Sequence, residues 1–142
     1  MVFKNACAFS KLSYYIHNFV EMNEVDCVFC RIIKGELPSK KVYEDDEIIA
    51  FHDINPVAPV HILVLPKRHI IGLSEIGDND TGLIGRIFVV MSKLARQLNV
   101  SPGTEMSGGY RVVNNCGRGA GQSVFHIHFH LIGGRKFSWP PG

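Results

Sequence analysis

No stretch of this 142-residue chain is both long and apolar. The longest hydrophobic runs, Ile62 to Leu65 and Ile87 to Met91, fall far short of the roughly 20 residues that a membrane-spanning helix needs, so no membrane partner is expected. An excess of one charge is missing too: 15 Lys and Arg stand against 13 Asp and Glu, for a net charge of +2. Nucleic-acid binding usually shows as a clustered basic stripe, and without one nucleic acid is not expected as a partner. Cysteine is limited to four positions, Cys7, Cys27, Cys30 and Cys116, and only the middle two have a spacing partner. The segment before Met22 has no uninterrupted apolar core and no arginine, so it reads neither as a secretory signal nor as an organellar transit peptide. A cytoplasmic, reducing environment is therefore expected. There a Cys-x-x-Cys points to metal or redox chemistry before it points to a structural disulfide.

What is present suits one domain with its own core: 46% of residues are hydrophobic and 20% are charged. Residues 1–22 carry no trustworthy periodicity and read as an N-terminal extension, with the domain spanning 23–142. Cys27 to Ile33 fits a short helix ended by Gly35 and Pro38. Val42–Tyr43 and Ile48 to Phe51 read as strands around the acidic turn Glu44 to Glu47, and His61 to Leu65 as a buried strand stopped by Pro66. Leu83, Ile87, Val90, Met91, Leu94 and Leu98 recur at helical spacing. Asp80 precedes them as an N-cap candidate, and Pro102–Gly103 closes the helix. Tyr110 to Val113 and Val124 to Ile132 supply the last strands, separated by the glycine-rich segment Asn115 to Gly121. That order predicts an α+β fold with a mainly antiparallel sheet.

The chemistry concentrates in Phe125-His-Ile-His-Phe-His-Leu131. Alternate residues of a strand share a face and stand about 6.5–7 Å apart. One face would then pack Phe125, Ile127, Phe129 and Leu131, and the other would display His126, His128 and His130 in a row. A bare polar strand face would more cheaply use Thr, Lys or Glu. Three imidazoles point either to a catalytic metal held by all three or to one nucleophile or acid–base group tuned by its neighbours. Gly117, Gly119 and Gly121, followed by Gln122 and Ser123, form a loop whose backbone N–H groups could line an anion site. An anion cradle beside imidazoles favours phosphoryl or nucleotidyl transfer.

The run His126 to Ile132 matches the histidine-triad pattern His-φ-His-φ-His-φ-φ. With Phe51 to Pro56, His61 to His69, Gly121 to Ser123 and the terminal Trp139 to Gly142, the stretch from about Asp26 to Gly142 resembles the histidine triad (HIT) family, Hint branch. That resemblance implies a HIT-like fold: a five-stranded antiparallel sheet with two helices per subunit, the sheet extended across a homodimer. It implies a purine nucleoside phosphoramidase that hydrolyses the P–N bond of adenosine 5′-phosphoramidates and releases AMP and an amine. In that reading His128 is the nucleophile, His130 bonds the phosphate, Ser123 faces the leaving group and His61 buttresses the nucleophile. Asp53 takes the ribose hydroxyls with Ile54 beside it. Asn115, Gly121 and Gln122 belong to the phosphate loop, and Phe29, Ile32 and Phe51 wall the purine slot. As a turn residue ahead of Asn55–Pro56, Asp53 also has a purely local reading.

Cys27 and Cys30 lie one helical turn apart, so their thiols can converge, and a tetrahedral zinc site would need two more ligands. The resemblance supplies His69 and His126, which makes Cys27, Cys30, His69 and His126 a structural zinc site, with no metal required for catalysis. Other readings remain: a nucleotide-binding module with incidental hydrolysis, a dinucleoside polyphosphate hydrolase of the same fold, or a three-histidine metal hydrolase. The terminal WPPG counts against the second of these, and the competing cysteine set against the third.

Overall fold

The computed structural model describes residues 26–103 and 108–141. Five strands, β1 (Lys41–Glu44), β2 (Ile48–His52), β3 (Val60–Pro66), β4 (Tyr110–Val113) and β5 (Phe129–Gly133), form one sheet in the order β1-β2-β3-β5-β4. Every neighbouring pair is antiparallel. Among the described residues the α-helices are α1 (Val28–Ile33) and α2 (Thr81–Gln97). The expected α+β class, with a five-stranded antiparallel sheet and two helices, is the one observed. The assigned extension, residues 1–22, and Cys7 lie outside the described residues.

The two-residue period of a strand sorts the sheet into two cores. Ile48, Ala50, Ile62 and Val64 meet Ile87, Val90, Met91 and Leu94 of α2 on one face. The alternate residues Ile49, Phe51, Leu63 and Leu65 meet Phe29, Cys30 and Ile32 of α1 on the other. Strands buried on both faces read as continuous apolar runs, which is why β2 and β3 show no polar alternation.

Three local expectations are corrected. Asp80 occupies the N-cap position of α2 but makes no cap bond to it. Its carboxylate instead accepts the Gly77 N–H at 3.0 Å and pairs with Arg68, closing the turn before the helix. The helix is ended ahead of Pro102 by Asn99 at φ 57°. There Val100 N–H bonds Ala95 O at 2.9 Å and Asn99 N–H bonds Arg96 O at 3.2 Å, a Schellman closure. Finally, the last strand begins at Phe129 and not at Val124. Continuing the register Val64↔Phe129 would set Ile127 opposite Pro66, which has no N–H to donate. Residues 124–128 therefore leave the ladder, and the Ile127 N–H turns to Ile70 O at 2.6 Å.

The Schellman turn sends Val100 into the core, 1% exposed, against Gly133. A Cβ on Gly133 would stand 2.8 Å from Val100 Cβ, an atom that cannot swing aside. Gly133→Ala should destabilise the fold by about 1–3 kcal/mol, and Val100→Ala in the same chain should recover part of that loss. Denaturant titration of the single and double variants tests this; additive losses would show that the two residues do not collide.

Candidate functional site

The excursion of residues 124–128 from the sheet decides where each imidazole points. The three histidines do not share one exposed strand face, as the alternation suggested. His126 and His128 are buried at 0% and 5% exposure, and only His130 sits on a strand, in β5. The apolar partners Ile127, Phe129 and Leu131 do face the α2 core. The imidazoles lie on the α1 side, where the Phe29 ring stands edge-on to His128 with centroids 5.0 Å apart.

Hydrogen-bond partners assign the proton on each ring. His126 Nε2 lies 2.8 Å from the Pro66 carbonyl and must donate to it, leaving the Nδ1 lone pair available. His128 Nδ1 lies 2.7 Å from the His126 carbonyl, so Nδ1–H donates and Nε2 carries the lone pair. The Val57 N–H donates to His61 Nδ1 at 3.2 Å, so His61 holds its proton on Nε2 and offers it to His130 Nδ1 at 2.8 Å. His130 is thereby left with a proton on Nε2, a buried donor without a partner among the described residues. One ring presents a lone pair; its neighbour, 5.0 Å away between centroids, presents an N–H. A ring with an available lone pair thus stands beside a ring with an available N–H donor.

Burial keeps the cluster neutral. Desolvation holds His128 and His61 below the ordinary histidine range. The same burial, reinforced by the neighbouring His128 and His61 rings, brings His130 down to about 4. Asp53 opposes the shift: its Oδ2 lies 3.4 Å from His61 Nε2, while its Oδ1 accepts the Asn55 N–H at 2.7 Å. The local reading of Asp53 as a turn residue thus has its physical counterpart in the Asn55 bond, while the other oxygen faces His61. Asp53, His61 and His130 also bring three possible metal donors within 4.8 Å of one another. A metal on His61 Nε2 would displace the proton that the Val57 N–H forces onto that nitrogen, so the geometry fits a hydrogen-bonded imidazole relay better than a metal site.

The second cluster behaves oppositely. Cys27, Cys30, His69 and His126 place one ligand atom each within 4.8 Å of all the others. The His126 Nδ1 lone pair faces Cys27 Sγ at 3.6 Å and Cys30 Sγ at 3.5 Å, and His69 Nδ1 lies 3.3 Å from Cys30 Sγ. A tetrahedral zinc with ordinary bond lengths separates a sulfur and a nitrogen ligand by about 3.5 Å. The donor set, spacing and tautomer fit structural zinc. The Pro66 carbonyl supplies the outer hydrogen bond that orients a metal-bound imidazole.

The glycine-rich loop differs from expectation in its donors. The N–H groups of Gly117, Ala120, Gly121 and Gln122 all bond within the loop. Gln122 is buried; its side chain braces the loop to Ile71 O at 2.7 Å and Val124 O at 3.1 Å. Asn115 is half-buried, while Ser123 and Ile54 are exposed. Phe29, Ile32 and Phe51 are all buried in the α1-side core, with only Phe29 in ring contact with His128. Sequence reasoning missed Asn114, whose Nδ2 donates to the His128 carbonyl at 2.8 Å. Its one signal was a polar residue directly after the apolar run of β4.

The HIT domain family model matches residues 34–137. A "14 kDa zinc-binding protein" of Zea mays is 42% identical over 123 residues, 85% of this chain and 91% of the maize protein. The crystal structure of a HIT family hydrolase from Legionella pneumophila Philadelphia 1 is 47% identical with a TM-score of 0.76, covering 82% of this chain and 99% of that one. A histidine triad nucleotide-binding protein from Candida albicans is 40% identical with a TM-score of 0.65, over 82% and 84% of the two chains.

One zinc per chain is expected by metal analysis, and Cys30→Ser or chelation should lower Tm by roughly 10 °C or more. A metal-free chain of unchanged Tm would remove the zinc site. The imidazole relay sets a pH dependence. Unfolded histidine binds a proton near pH 6.5, whereas folded His130 does so only at about 4. The stability this contributes is present above pH 6.5 and lost as pH falls toward 4. Between those values Tm should fall less steeply for His130→Asn than for the intact chain; parallel slopes would contradict the assignment.

Proposed function

The chain belongs to the HIT domain family, and from that premise we propose that it is a nucleotide-binding hydrolase that cleaves the P–N bond of adenosine 5′-phosphoramidates through His128. The observation that carries this reading is the assigned tautomer pair: His128 presents Nε2 with its lone pair, and His130 presents a buried N–H beside it.

In this mechanism His128 Nε2 attacks the α-phosphorus. The P–N bond breaks as the nitrogen takes up a proton from solvent and leaves as the amine, and a nucleotidyl-histidine remains. Water then attacks the phosphorus, the P–Nε2 bond breaks, and AMP and neutral His128 are restored. Splitting one displacement into two lowers each barrier. During attack the His128 ring gains positive charge, and its Nδ1–H bond to the His126 carbonyl becomes charge-assisted, so it strengthens where stabilisation is needed. His130 Nε2–H binds a phosphate oxygen, and His61 holds His130 in that tautomer. Asp53 takes the ribose hydroxyls with Ile54 beside it. Asn115 and Gly121 frame the phosphate, Gln122 holds their loop, Ser123 faces the departing amine, and Phe29, Ile32 and Phe51 back the purine. Zinc at the Cys27 cluster supplies structural order to this wall of the site.

The homodimer belongs to the same proposal. Strand β4 forms an outer edge of the sheet, and Phe88 and Val89 leave apolar surface exposed on α2. A sheet continued through a second copy would satisfy both.

The decisive experiment compares the intact chain with His128→Ala on an adenosine phosphoramidate carrying a fluorescent amine. The variant should lose turnover by at least ~1,000-fold and retain measurable AMP binding. Equal turnover would exclude His128 as the nucleophile. AMP binding without turnover in the intact chain would leave a nucleotide-binding module.

A further inference from the structure

We infer that Asn114 is a positioning residue for the nucleophile: its side-chain amide holds the His128 carbonyl and thereby fixes the backbone on which the reactive ring is mounted. The inference rests on the reading of His128 as nucleophile. The ladder between β4 and β5 runs from Tyr110↔Gly133 to Val113↔His130 and stops there. Beyond it, residues 124–128 have left the sheet, because β3 ends at Pro66 on their other side. The carbonyl of His128 would then face no backbone donor from β4. Asn114, the first residue after that strand, places Nδ2 2.8 Å from it. A side-chain amide thus takes over where the ladder ends.

The orientation of that amide is set by its surroundings. The opposite flip would turn Oδ1 onto a carbonyl oxygen and lose the bond. In the observed flip Oδ1 is buried without a partner among the described residues. A buried acceptor left unpaired is unfavourable, so a side chain chosen for packing alone would not be an amide here. The Nδ2 bond is what the residue contributes. Two hydrogen bonds then locate His128: the His126 carbonyl orients the ring through Nδ1–H, and Asn114 anchors the main chain at its carbonyl. Releasing the second lets the peptide following His128 rotate. The line from Nε2 to the phosphorus rotates with it, and small misplacements of a reacting atom are costly in rate.

The test uses the zinc-loaded chain, Asn114→Ala and Asn114→Asp. Both variants should bind AMP with little change and show KM within about twofold of the intact chain, while kcat falls roughly ten- to hundredfold. A carboxylate at this position cannot donate, but a protonated one can. The ratio of Asn114→Asp to intact turnover should therefore rise as pH is lowered toward 5, which lost packing alone would not produce. A readout independent of turnover is the 15N spectrum of the His128 ring. The intact chain should show the single Nδ1–H tautomer, and Asn114→Ala an averaged or shifted signal. Unchanged kcat with an unchanged His128 signal would overturn the inference. If the intact chain does not cleave the phosphoramidate, the hydrolase reading fails, and the His128 signal still decides the role of Asn114. Should Asn114→Ala not fold, Asn114→Asp across the pH range decides it.

Discussion

The hydrogen bond from His128 Nδ1–H to the His126 carbonyl, 2.7 Å long, is the joint on which the rest of the site turns. It fixes which nitrogen of His128 carries a lone pair. It also ties the His128 ring to a residue whose imidazole is engaged at both nitrogens. The His126 ring donates to Pro66 through Nε2 and faces the Cys27 and Cys30 sulfurs through Nδ1. Zinc on that nitrogen would immobilise His126, and an immobile His126 carbonyl holds His128. A structural metal two residues from the proposed nucleophile can order this part of the chain without touching a substrate.

That arrangement depends on the strand being interrupted. On a regular strand the three imidazoles would share one face at an even spacing. Pro66, unable to donate, ends the β3–β5 ladder at the position where separation is needed. Residues 124–128 then bond to the segment after β3, through Ile70 O and Pro66 O. A side-chain amide from Asn114 replaces one lost ladder bond on the opposite flank.

Burial supplies the electrostatic half of the design. Desolvation keeps the imidazoles neutral near pH 7. A neutral His128 retains its lone pair, and a neutral His130 with its proton on Nε2 is a donor. Asp53, with one oxygen turned toward His61, opposes this shift in part without forming a strong ion pair. In the glycine-rich loop the N–H groups of Gly117, Ala120, Gly121 and Gln122 bond within the loop, and Gln122 clasps it to the backbone at Ile71.

Residue pattern alone was enough for the α+β class, for strands β1 to β4 within a residue or two, and for α2. Those elements rest on local periodicity and on burial of one or both faces. Spacing alone singled out Cys27 and Cys30 as a converging pair, whereas His69 and His126 joined them through the family resemblance, and the structure brings all four together. The start of β5 was misjudged because it depends on the register against Pro66, distant in sequence. The end of α2 is set by the local Asn99 turn ahead of Pro102, and Asp80 holds the N-cap position while its carboxylate bonds Gly77 and Arg68. The division of labour among three identical side chains was not legible in any local pattern. Which imidazole faces sulfur, which carries the reactive lone pair and which presents a proton follow from the carbonyls and N–H groups that folding brings to each ring. A histidine is the same group in every sequence context; its tautomer is a property of the tertiary structure.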